Sequence, residues 1–127
     1  PALEEGALLV RVHSLFALAL ARISLLRGES DNAWQLYRQV AVGSPSYTES
    51  LIETAYAFQI RNEYRRSAAV LDQALTRYPS SEAALRLKLW RAEMLARSLR
   101  RVRLHQCIER DNHHSCTNTK HKNDGSY

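Results

Sequence analysis

Apolar side chains recur at helical spacing in five stretches, separated by short breaks. Ser14 to Arg27 is apolar and rich in Ala, and Gly28 ends it. Ser30 or Asp31 caps a second helix over Asn32 to Val42, closed by Gly43-Ser44-Pro45. Thr48 to Ile60 follows, with Leu51, Ala55 and Phe58 on one face, and Arg61-Asn62-Glu63 turns the chain. Tyr64 to Arg77 aligns Ala68, Leu71, Ala74 and Leu75 before Tyr78-Pro79-Ser80-Ser81 breaks it. Ser81 and Glu82 open a last helix reaching about Ile108. Its expected apolar face is Leu85, Leu89, Ala92, Leu95 and Ala96. The pattern predicts an all-α chain.

The stretches also repeat. Pro45 and Pro79 are 34 residues apart, and the same offset pairs Ala21 with Ala55, Gly28 with Asn62, and Ala33 with Ser67. It further pairs Tyr37 with Leu71 and Val40 with Ala74. Small meets small and bulky meets bulky, while Gly and Asn both suit the left-handed turn that ends a helix. Two helices in 34 residues, closed by proline, resemble a tetratricopeptide repeat. The second unit matches best, through Leu51, Ala55, Phe58, Tyr64, Ser67, Leu71, Ala74 and Pro79. The first matches through Leu20, Ala21, Gly28, Ala33, Tyr37 and Pro45, and departs at Ser24 and Val40; Thr54 departs in the second. A third, incomplete unit starts at Glu82, with Leu89 where the family prefers a small residue.

The resemblance implies a short α-solenoid: an N-terminal helical or capping segment over residues 1–13, a repeat domain over 14–98, and the basic end of the last helix with a flexible polar tail over 99–127. It also implies a non-enzymatic scaffold that binds a partner's peptide or helix in a groove lined by the first helix of each unit. That lining would hold Leu18, Arg22 and Leu25, then Glu49, Ile52, Tyr56 and Gln59, then Arg86 and Trp90. The Lys and Asn clamp for a terminal carboxylate, used by chaperone-tail binders of this family, is missing from the set. Trp34, set among Asn32, Gln35 and Arg38, is expected to make a half-buried contact between units.

Composition adjusts this picture in three places. First, Ala7 to Leu26 is greasy, but Arg11, His13 and Arg22 interrupt it and its longest unbroken apolar run is Leu15 to Ala21. A spanning helix needs about 20 apolar residues, so a packed helix is the preferred reading. Leu8, Leu9, Val10 and Val12 then become extra core or a surface for self-association. The first residue is Pro1, which agrees with a processed or truncated chain, and a bacterial cytoplasm or periplasm is the family-level expectation of place.

Second, the net charge of +5 sits mostly beyond residue 96, where seven basic side chains face three acidic ones. Arg97, Arg100, Arg101 and Arg103 form a basic patch. It is either a solvated face or, as the alternative function, an anchor to nucleic acid or an anionic membrane. No aromatic residues interleave with these Arg to stack bases.

Third, His105, Cys107, His113 and Cys116 carry metal-ligand chemistry, but their spacing matches no zinc-finger pattern, and no metal or other cofactor is expected. Cys107 and Cys116 allow a disulfide in an oxidising compartment without assigning one. Residues 104–127 read as native structure, disordered tail or extension. No Gly-rich phosphate loop, nucleophile elbow or paired carboxylate site occurs, and four of the five His lie beyond residue 104, so no enzyme is expected.

Overall fold

The computed structural model describes residues 2–78 and 82–110, with side chains from Glu4 onward. Every regular element among them is helical: α1 (Ala2–Leu26), α2 (Ser30–Tyr37), α3 (Tyr47–Ile60), α4 (Tyr64–Leu75) and α5 (Glu82–Glu109). Successive helices pack on one another, α1 on α2, α2 on α3, α3 on α4 and α4 on α5, and α1 meets α3 only along a narrow strip. Pro79, Ser81, His113, Cys116 and most of the expected tail lie outside the described residues.

The two inter-helix turns after α1 and α3 are built alike, 34 residues apart. Gly28 and Asn62 both take positive φ, at 77° and 61°. The Glu29 N–H donates to the Ser24 carbonyl and the Glu63 N–H to the Phe58 carbonyl, each at 2.9 Å. The Gly28 and Asn62 N–H groups donate to Leu25 and Gln59. This double closure satisfies carbonyls that a helix end leaves open, and it needs a residue that tolerates the left-handed conformation. Glu29 and Glu63 then begin α2 and α4 with nearly the same backbone angles and without a side-chain cap. The expected caps Ser30 and Asp31 instead lie inside α2.

The small sites are close-packed as the offset requires. Ala21 and Ala55, Ala33 and Ser67, Tyr37 and Leu71, and Val40 and Ala74 are all buried. Ser67 turns its hydroxyl to the Ala55 carbonyl at 2.8 Å, which lets α4 cross α3 closely without an orphaned donor. The core divides into two clusters. Ala17, Leu18, Ala21, Ala33, Tyr37, Val40 and Ala57 form one; Leu51, Ala55, Ala68, Leu71, Ala74, Leu87 and Met94 form the other. Trp34 bridges α2 to α3, its ring 5.8 Å from that of Phe58 and covered by the Arg38 guanidinium at 5.0 Å.

Helix α1 runs unbroken across residue 13, and α5 runs through residues 98 and 99. Three sequence expectations change. Helix α2 stops at Tyr37 rather than Val42, since Arg38 to Val40 tighten into turn hydrogen bonds and the Ala41 N–H is taken by the Ser14 hydroxyl. Helix α4 stops at Leu75 rather than Arg77, again in turn hydrogen bonds. In α5 the expected apolar face is the wrong one. Leu85, Leu89 and Leu95 are exposed, while Ala84, Leu87 and Met94 are buried. Apolar residues occupy two faces of α5, and contact with α4 selects one of them.

Helix α1 shows the same duality. Ser14, Ala17, Leu18, Ala21 and Ser24 are buried, whereas Leu9, Leu15, Phe16 and Leu26 are exposed on the other sides. Residues Glu4–Leu26 are long and apolar enough to cross a membrane by length and composition, and 28% of that window is buried inside the protein.

Candidate functional site

Helices α1, α3 and α5 are linked through their polar groups. From α1, the Arg22 Nε donates to the Glu53 carboxylate at 2.9 Å and its Nη2 to the same group at 2.7 Å. A second acceptor for that Nη2 is Glu49. Hydrogen bonding to Glu53 raises the Arg22 pKa above its already high value, and the charges of Glu53 and Glu49 add to this. From α5, the Trp90 indole N–H donates to the Gln59 side-chain carbonyl at 2.7 Å. Four expected groove residues, Arg22, Glu49, Gln59 and Trp90, are therefore tied together across helices.

Between these two links lies Tyr56, 49% exposed, with Ile60 exposed one turn further along α3. Glu49, Ile52, Glu53, Tyr56, Gln59 and Ile60 lie at three- and four-residue steps and share one side of α3. Ile52 and Arg86 also come together, lining with Tyr78, Glu82, Ala83 and Leu87 a depression of about 380 Å³ between α3 and the start of α5. Arg86 is held by Glu82 one turn earlier at 2.7 Å.

One expected lining residue does not reach the surface: Leu18 is 3% exposed and belongs to the first core cluster. Leu25 is partly buried and packs against that cluster. Glu53 and Ile60 are the members that the sequence reading missed. Glu53 stands four residues after Glu49 and Ile60 four after Tyr56, so helical spacing alone marked both. Beneath Glu53 lies Tyr37, whose buried hydroxyl makes no well-formed hydrogen bond. Burial first, and then the negative charge of Glu53, push its pKa up.

Both arginines of the face are paired within it, Arg22 with Glu49 and Glu53 and Arg86 with Glu82.

The basic patch is divided. Arg97 pairs with Glu93 and lies over the Tyr64 ring, 5.7 Å from its centre. Arg101 donates to the Asn62 carbonyl and so closes α5 onto the turn between α3 and α4. Arg100 and Arg103 remain exposed. His105 pairs with Glu109, and Cys107 is disulfide-bonded, so no thiolate is offered there to a metal. No group of metal-ligating side chains converges among the described residues.

No family model matches the chain, and neither a curated protein nor a solved structure is similar to it.

Proposed function

We propose that this chain is a tetratricopeptide-like scaffold and that its α1–α3–α5 face binds a short peptide or helix of a protein partner. The observation that carries the reading is the position of Tyr56. It is a large amphipathic side chain, half exposed at the centre of a face fixed on both flanks by cross-helix hydrogen bonds. Aromatic residues held in a rigid surround are favoured as binding anchors, because they contribute contact area at little entropic cost. Ile52, Ile60 and the exposed edge of Trp90 extend the anchor along the face. The matched turns and small sites at the 34-residue offset support the family reading.

The test is selection of peptides from a display library against the purified chain, followed by titration against Tyr56→Ala. Selected peptides are expected to lose about tenfold or more in affinity, with helicity unchanged. Peptides that bind Tyr56→Ala as tightly as the parent would place recognition elsewhere. A basic anchor at α5 has weaker support, since Arg97 and Arg101 are occupied within the fold.

A further inference from the structure

Helix α1 carries an ordered seam on the side turned away from its own core. Leu9, Val12, Phe16, Ala19, Ile23 and Leu26 follow one another at steps of three and four, and all six are exposed. This is the a/d pattern of a two-helix seam, repeated over 18 residues and about 27 Å of helix at ~1.5 Å per residue. Exposed Leu15 and Leu20 broaden it on either side. A lipid surface rewards apolar area but has no use for such a register, and interfacial helices set charge beside their apolar face. Here Arg22 on one flank is already paired with Glu49 and Glu53, and of the other arginines only Arg11 of this helix and Arg27 just past its end stay exposed without an ion pair among the described residues.

We propose that this seam pairs with the same seam of a second copy, antiparallel, to form a two-fold dimer. In an antiparallel pair each a position faces a d position of the other helix. Leu9 then meets Leu26, Val12 meets Ile23, and the largest residue, Phe16, meets the smallest, Ala19. The large-against-small layer occurs twice about the axis, as an isologous interface requires. A parallel pair instead sets Phe16 against Phe16 and Ala19 against Ala19, which overfills one layer and leaves a void in the other. The groove centred on Tyr56 lies on a different side of the array, so this inference stands apart from the proposed peptide binding.

Sedimentation equilibrium of the full chain over a wide concentration range tests the proposal, with circular dichroism as the control for folding. The parent is expected to dimerise. Phe16→Glu should raise the dissociation constant about tenfold or more at unchanged helicity, and Leu99→Glu, on the exposed side of α5, should leave it unmoved. Ala19→Phe should weaken the dimer by crowding the layer, and the exchange Phe16→Ala with Ala19→Phe should restore it. A monomer at all concentrations overturns the proposal, as does a dimer indifferent to Phe16→Glu or an exchange that fails to rescue Ala19→Phe. A monomer that co-sediments with phosphatidylglycerol vesicles overturns it in favour of a lipid surface.

Discussion

Gly28 and Asn62 do the same work with different side chains. Both hold the left-handed conformation that lets the following N–H reach back to close the helix. Beyond Gly28 itself and its two chain neighbours, no heavy atom lies within 4 Å of the site a Cβ would take, so a side chain there meets only the backbone penalty. Gly28→Ala is expected to cost about 1–2 kcal/mol, the price of a left-handed Cβ. Gly28→Asn should cost much less, as its counterpart shows, and urea denaturation of both variants checks the pair. Tyr37 has a different sensitivity. Its phenol is neutral and buried, and its pKa is raised in the fold, by burial and by the Glu53 charge. Stability from this group is present below the unfolded pKa of about 10 and is lost as pH rises through the higher folded value. Tyr37→Phe should therefore remove part of the alkaline unfolding without loss of stability near neutrality, because the hydroxyl it deletes makes no well-formed hydrogen bond. Thermal melts of both proteins from neutral to strongly alkaline pH read this directly.

At the scale of elements, the two core clusters divide the chain into neighbouring packing units. Met94 is fully buried and anchors α5 on the second cluster. Met94→Ala should cost about 2–5 kcal/mol. Because α5 packs on α4 and the first cluster draws on α1, α2 and α3, that loss is expected to stay local. Hydrogen exchange is expected to rise in α4 and α5 and to change little in α1 and α2; uniform loosening would show a single cooperative unit instead. The link between α1 and α3 is of another kind. Arg22 keeps 45% of its side chain exposed, so Arg22→Ala should cost under about 1 kcal/mol, less in high salt, by denaturant titration. The rigid face around Tyr56 depends on that link for alignment more than for stability.

For the molecule as a whole, both outermost helices present apolar side chains outward, Phe16 and its neighbours on α1 and Leu85, Leu89 and Leu99 on α5. Residues 111–127 contain no Ala, Val, Leu, Ile, Met, Phe or Trp, so their side chains have little with which to cover either face. Association through apolar layers is insensitive to screening, whereas association through the +4 charge of residues 97–127 is not. The dissociation constant of the dimer should change less than about threefold between ~0.1 and ~1 M NaCl. A rise of tenfold or more would put the charges of the basic end at the interface.

The sequence by itself determined the five helices, the offset of 34 and the two left-handed turns, because each is set by local spacing and by residues with special backbone freedom. Four of the cross-linked residues in the candidate site, Arg22, Glu49, Gln59 and Trp90, were named through the resemblance to the tetratricopeptide repeat. Only the tertiary structure decided which side of α1 and α5 is core. Both helices are apolar on more than one face, so periodicity offers no preferred direction. In α1 the outcome runs against hydrophobicity: Ser14 is fully buried while Phe16 is 66% exposed. The reason is hydrogen bonding and size. The Ser14 hydroxyl accepts from the Ala41 N–H, the Ser24 hydroxyl accepts from the Asn32 amide, and small residues between them let α2 approach. The same close approach draws Leu18 into the core and leaves Leu9, Phe16 and Ile23 facing outward.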